Sequence, residues 1–253
     1  MKQPLVLLHG WGVNSLIWNQ ILPLLESEFD IYVIDLPGYG EDIDYAGDYS
    51  LDAIANEVLS RAPEKAIWIG WSLGGTIAMA AAIAQPERFF KLQLVSATPR
   101  FLNGPDWDFG VDQEPFATLA DDFENDYTKA VQKFLLLQVV TDDRARLKKS
   151  RTMVRDLGLA LNQFKPPNRR TLRAGLEILS DTDLRAQLGN LTVETQVVAG
   201  RHDHVVPVAA SEFLFNQLAN GHSIHPFDAG HLPFIESSSQ YIEALTTFAN
   251  PTQ

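Results

Sequence analysis

The chain has no cysteine among its 253 residues. That absence excludes disulfide bonds and thiol nucleophiles, and it fits a reducing compartment. Positive charge is scarce. Twenty Lys and Arg face 32 Asp and Glu, for a net charge of −12. Nucleic acid and anionic membrane surfaces are therefore not expected as general partners. No apolar run approaches the ~20 residues that a membrane span needs. The first such run, Leu5-Val6-Leu7-Leu8, is too short for a signal-peptide core, so no leader is expected. Internal repeats and low-complexity tracts are missing as well. What is present is an acidic chain, 45% hydrophobic, of a length that suits one α/β domain with an insertion.

Strand and helix signals alternate over the first hundred residues. Leu5-Val6-Leu7-Leu8, Ile31-Tyr32-Val33-Ile34, Ala66-Ile67-Trp68-Ile69 and Lys91-Leu92-Gln93-Leu94-Val95 read as strands. Ser50 reads as the cap of a helix that runs to about Ala62. Such alternation implies a mainly parallel sheet with helices on both faces. From 101 to 180 the pattern turns helical, with apolar spacing of helix type over 115–140, 143–164 and 168–179. Pro166-Pro167 interrupts that stretch. Strand signals return at Thr195-Gln196-Val197-Val198-Ala199-Gly200 and around Ser223-Ile224. The division expected is a core of residues 1–100 and 181–253, with residues 101–180 as a helical cap, or lid.

Gly70-Trp71-Ser72-Leu73-Gly74 lies between the strand at 66–69 and the Ala-rich stretch Thr76-Ile77-Ala78-Met79-Ala80-Ala81-Ala82. A G-x-S-x-G pentapeptide between a buried strand and a helix resembles the nucleophile elbow of the α/β-hydrolase superfamily. Glycine flanks the serine because the turn leaves no room for side chains there. The alternative is a glycine-rich turn with a chance serine. A serine nucleophile needs a base, and the base needs an orienting acid; in this superfamily they follow in the order Ser, acid, His. His231, in Asp228-Ala229-Gly230-His231-Leu232-Pro233-Phe234, follows the last strand and is the candidate base. Asp203 is the only carboxylate in the loop Arg201-His202-Asp203-His204-Val205-Val206-Pro207 and is the candidate acid. An Asx-turn is its structural alternative. His202 and His204 flank Asp203 but lack a third ligand, so they read as solvated loop residues and no metal is expected.

The loop His9-Gly10-Trp11-Gly12 follows the first strand, and its glycines let the backbone fold toward the serine. The Trp11 and Leu73 N–H groups are the candidate oxyanion donors, and the Trp11 side chain would wall an acyl pocket. His9 precedes the serine and reads as a structural residue, as does Asp35. Because the oxyanion loop arrives so early, the first two strands of a full-length hydrolase sheet are expected to be missing.

Charge is divided within 101–180. Residues 103–128 hold eight acids and no Lys or Arg, whereas residues 129–173 hold twelve Lys or Arg and three acids. Two readings are open: helices that pair with the acidic half or present a solvated face, or a docking surface for an acidic partner. Lys129, Lys133, Arg144, Arg146, Lys148 and Lys149 are the first docking candidates.

The whole chain resembles the α/β-hydrolase superfamily and, more closely, the pimeloyl-[acyl-carrier protein] methyl ester esterases of biotin synthesis. The stretches that carry this are Leu7-Leu8-His9-Gly10-Trp11-Gly12, Asp35-Leu36-Pro37-Gly38, Lys65 through the elbow to Gly75, Leu147-Lys148-Lys149, Gly175-Leu176-Glu177-Ile178-Leu179, Gly230-His231-Leu232-Pro233-Phe234 and the segment Phe134-Leu135-Leu136-Leu137-Gln138. The resemblance implies Ser72, Asp203 and His231 as the triad, with Trp11 and Leu73 at the oxyanion. It implies Phe134, Leu135, Leu136, Leu137 and Gln138 as lining for the acyl chain, beside Trp11, Ser72, Leu73 and His231. It also implies an acidic acyl-carrier protein as partner, no cofactor, and a cytoplasmic monomer. The chain departs from the family in a shorter amino terminus and a contracted 139–146. The expected activity is ester hydrolysis by a serine carboxylesterase. A general short-chain esterase or a carbon–carbon bond hydrolase of the same fold is the alternative among enzymes. A ligand receptor on a hydrolase scaffold is the alternative outside them.

Overall fold

The computed structural model describes residues 2–113, 118–139 and 144–250, with side chains at all of these except 120 and 144–150. Six strands form one parallel sheet: β1 (Gln3–Leu8), β2 (Phe29–Ile34), β3 (Ala66–Trp71), β4 (Phe89–Val95), β5 (Thr195–Gly200) and β6 (Gly221–Phe227). Their spatial order is β2-β1-β3-β4-β5-β6. β1 is the first strand among the described residues, and the loop at His9 follows it directly. β3 and β5 are buried along their whole length, as expected of central parallel strands covered on both faces. β2 lies at an edge and exposes Tyr32.

The helices are α1 (Leu22–Leu25), α2 (Leu51–Arg61), α3 (Leu73–Ala84), α4 (Leu119–Asn125), α5 (Tyr127–Gln138), α6 (Arg144–Leu161), α7 (Arg169–Asp181), α8 (Val208–Gln217), α9 (Pro233–Glu236) and α10 (Ser238–Ala249). Ser50 caps α2, its hydroxyl accepting from the Ala53 N–H at 3.4 Å. The helical expectation over 115–140 needs one correction. Its described part is two helices, α4 and α5, separated at Asp126 (φ −155°, ψ 85°). The Asp126 carboxylate accepts from the Lys129 N–H (3.1 Å) and starts α5 afresh. Apolar spacing continues across the break, so periodicity alone could not place it. Residues 114–117 and 140–143 of the predicted helical stretch lie outside the described residues.

Strand order reverses between β1 and β3, because the chain runs outward to β2 and then returns. In open α/β sheets the crevice at such a reversal, at the carboxyl ends of the strands, is where ligands bind. His9 and Ser72 follow β1 and β3 at that point.

Candidate active site

Ser72 occupies a backbone conformation with φ 55° and ψ −120°. L-residues rarely adopt it, at a cost of about 1–3 kcal/mol that surrounding structure must offset. The Ser72 N–H is tied to the Val95 carbonyl at the end of β4 (3.0 Å). The flanking glycines are required by close approach. A Cβ on Gly70 would lie 2.5 Å from the Gly74 carbonyl oxygen, and one on Gly74 would lie 2.5 Å from the His9 oxygen. No side chain caps the N-terminus of α3. The Gly75 and Thr76 N–H groups donate to the Ser72 carbonyl (2.9 and 3.1 Å), so the leading N–H groups, those of Leu73 and Gly74, together with the helix dipole favour a nearby anion.

His231 stands in the loop after β6 and Asp203 in the loop after β5. The His231 Nδ1–H donates to Asp203 Oδ2 at 2.7 Å. The other carboxylate oxygen accepts from the N–H groups of Val205 and Val206, both at 2.8 Å. Both side chains are buried. With its oxygens committed to three donors, Asp203 fixes the His231 tautomer and leaves Nε2 as the free acceptor. Backbone bonds join the two loops: Arg201 N–H to the Phe227 carbonyl and His202 N–H to that of Ala229. The His231 backbone is held on both sides. Its N–H donates to the Gln138 carbonyl (2.8 Å), and its carbonyl accepts from Trp71 Nε1 (2.8 Å). The Trp71 ring lies 5.4 Å from the imidazole.

The loop after β1 is fixed from the sheet side. His9 Nε2 accepts from the Leu36 N–H (3.0 Å), so Nδ1 carries the proton and donates to the Gly10 carbonyl (2.8 Å). Burial lowers the His9 pKa, outweighing the opposing pull of Asp35 at 3.7 Å. Asp35 accepts from the Ser15 N–H and hydroxyl and from the Glu41 N–H. Both residues are thus occupied structurally.

Ser72, Trp11 and Asp203 share the wall of a cavity of about 760 Å³. Apolar residues Phe101, Val111, Leu119, Phe134, Leu137, Leu179 and Val205 make most of the remainder, with Asn103, Asp112 and His204 as polar members. His231 and Leu73 are buried but not part of the wall. Of the segment 134–138, Phe134 and Leu137 face the cavity. They are three residues apart on α5 and so share a face. Leu135 and Gln138 are buried away from the cavity, and Leu136 packs against the core. Gln138 has no partner for its side-chain amide but holds His231 through its carbonyl. Sequence reasoning passed over Asn103, Val111 and Asp112, which lack any motif. It also passed over the indole of Trp71, whose contact is 160 residues away in the chain. His202 is exposed and pairs with Asp228 (2.8 Å).

Several basic residues pair with the acids that precede them. Lys133 meets Asp122 (3.1 Å), Arg169 meets Glu124 (3.1 Å), and Arg173 meets Asp121. Lys129 is exposed. The side chains of Arg144, Arg146, Lys148 and Lys149 lie outside the described residues.

A family model described as alpha/beta hydrolase fold matches residues 3–238. A curated relative from Klebsiella pneumoniae, named pimeloyl-[acyl-carrier protein] methyl ester esterase, is 37% identical over 241 residues, 95% of this chain and 91% of its own. One of the same name from Nitrosomonas europaea is 34% identical over 242 residues, 95% and 93% of the two chains. Among solved structures, the bromoperoxidase from Bacillus anthracis superposes with a TM-score of 0.84 at 21% identity, over 98% of this chain and 92% of its own. At that identity the likeness speaks to fold alone.

Proposed function

The chain belongs to the α/β-hydrolase family and, within it, to the pimeloyl-[acyl-carrier protein] methyl ester esterases, and from that premise we propose that it hydrolyses a carrier-linked methyl ester in biotin biosynthesis. The observation that carries the reading is the 2.7 Å bond between His231 and Asp203, with Asp203 and the strained Ser72 on one cavity wall and the His231 carbonyl bound by Trp71 beside the serine.

In this reading Ser72 Oγ attacks the ester carbonyl carbon while His231 Nε2 takes its proton. Asp203 stabilises the imidazolium without itself taking the proton. The N–H groups of Trp11 and Leu73 hold the tetrahedral oxyanion. His231 then protonates the departing methoxide, methanol leaves, and an acyl-enzyme remains. Water, deprotonated by His231, attacks the acyl carbon; as the intermediate collapses, His231 returns that proton to the departing Ser72 Oγ, and the free acid leaves as its carboxylate. The apolar cavity holds the methylene chain, with Phe134 and Leu137 on one side. Residues 101–180 act as the cap over a core of 1–100 and 181–253. The acyl-carrier protein docks on the basic part of that cap, where Lys129 and Lys133 are the described candidates beside Arg144, Arg146, Lys148 and Lys149.

Rescue of a biotin-requiring bacterial strain that lacks its own methyl ester esterase tests this reading. The wild-type gene should restore growth without biotin and a Ser72→Ala gene should not. Growth with both, or with neither at equal expression, would contradict it.

A further inference from the structure

Asn14 is buried at the far end of the loop that begins at His9. Its amide joins two elements. Nδ2 donates to the Leu161 carbonyl (2.9 Å), 147 residues away, and Oδ1 accepts from the Leu16 N–H (3.1 Å). The last carbonyls of a helix have no partner within it. One side chain therefore finishes α6 and starts the short 3-10 turn Ser15–Trp18. Trp11 makes a second link of the same kind, Nε1 donating to the Leu172 carbonyl on α7 (2.8 Å). The Tyr127 hydroxyl on α5 donates to the Gly12 carbonyl at 3.4 Å, a weaker third link. From the other side the loop is held by Leu36, His9 and Asp35. It is thus suspended between the sheet and three helices of the insert.

The loop also runs tightly against the nucleophile. A Cβ on Gly10 would lie 3.2 Å from the Ser72 Cβ and 3.0 Å from the Trp71 ring. A displacement of its outer half cannot be absorbed there without moving the Trp11 peptide.

We propose that Asn14 is a positioning residue for catalysis: through its bond to Leu161, the helical insert sets where the Trp11 N–H lies relative to Ser72. This rests on the oxyanion role assigned to Trp11 above. The insert then contributes to turnover itself, and anything that shifts α6 or α7 from outside reaches the oxyanion donor. A side chain that merely held the insert closed would act on substrate retention or stability and leave the turnover number alone.

Asn14→Ser separates the two. Serine keeps an oxygen suited to starting the 3-10 turn and lacks the amide that holds Leu161. On p-nitrophenyl acetate, which does not need the carrier, kcat should fall about 10-fold or more with KM unchanged, short of the ~100- to 1,000-fold seen when an oxyanion donor is removed outright. Phenylboronic acid, whose tetrahedral adduct on the serine places an oxygen at the oxyanion position, should weaken by the same factor as kcat/KM. Should Asn14→Ser fail to fold, Trp11→Phe cuts the parallel link to Leu172 while keeping the Trp11 N–H, and should show the same coupled loss. Wild-type kcat and boronate affinity in the folded variant, or a loss confined to KM, would overturn the proposal. Ser72→Ala, assayed alongside, keeps the two readings apart. If it is inactive while Asn14→Ser behaves as wild type, only the positioning role falls. If it retains activity, the nucleophile assignment falls first.

Discussion

At the residue scale, the site rests on a few side chains held in costly states. Ser72 is one, since its backbone conformation is better suited to glycine. Ser72→Gly and Ser72→Ala both remove the hydroxyl and should both lose on the order of 10⁶ in turnover. Their stabilities should differ. The glycine variant should be the more stable by about 1 kcal/mol, because relief of strain outweighs the larger chain entropy that glycine loses on folding. Thermal melts of the two, side by side, check this; an alanine variant as stable as the glycine one would mean the elbow carries no strain. His9 is another such residue. Burial lowers its pKa from the ordinary 6.5, so on acidification the unfolded chain takes up a proton that the folded chain refuses. Stability from this source is complete above about pH 6.5 and declines below it. The melting temperature should therefore fall between pH 7 and pH 5, and the fall should shrink in His9→Gln. An equal fall in both proteins would assign it to other groups. Much at this scale was legible in the sequence. The sequence singled out Ser72 through its glycines and context, and His231 and Asp203 through position after strands; the structure shows the strained backbone of the first and the bond between the other two. The links made by Trp71, Asn14 and Gln138 were not legible, because each joins residues more than ninety positions apart and leaves no local pattern.

At the scale of elements, the sheet brings the site together by register. β3, β4 and β5 run side by side in parallel, so the loops that carry Ser72 and Asp203 emerge at the same edge, and β6 adds the loop of His231 beside them. The contact between the last two loops leaves no slack. A Cβ on Gly200 would overlap the Gly230 carbonyl oxygen, and the neighbours involved are backbone that cannot rotate away. Gly200→Ala should displace the loop that carries His231. Misplacement by about 1 Å typically costs on the order of 100-fold in rate, so kcat should drop on that scale even on a small ester. Wild-type turnover in a folded Gly200→Ala protein would show that the loop tolerates movement. The strands were readable because buried parallel strands are nearly continuous apolar runs. The break at Asp126 was not, because buried apolar residues stand both before and after it, Phe123 and Tyr127, and the apolar spacing runs on unchanged.

For the whole molecule the question is charge. The chain is acidic overall, yet its basic residues gather in the insert, and some of them are paired there with Asp121, Asp122 and Glu124. The Lys133–Asp122 pair is exposed on both sides, and such pairs are worth only ~0–1 kcal/mol. Pairing of that strength does not compete with a partner that carries many carboxylates, so the two readings of the basic segment are compatible. Charge reversal at Lys129 and Lys133 should weaken hydrolysis of a carrier-linked ester and spare a small one. The carrier-linked reaction should also slow as salt shortens the Debye length from about 10 Å at 0.1 M to about 3 Å at 1 M. Equal losses on both substrates would instead mean that these lysines support the insert alone. The most direct measurement is methanol release from a methyl-esterified dicarboxylyl chain on acyl-carrier protein, with purified wild-type and Ser72→Ala enzyme. One methanol and one free carboxylate per ester cleaved, with the thioester to the carrier intact and no turnover by the variant, is the result predicted. Release of the acyl chain from the carrier, or methanol formation without Ser72, would contradict it.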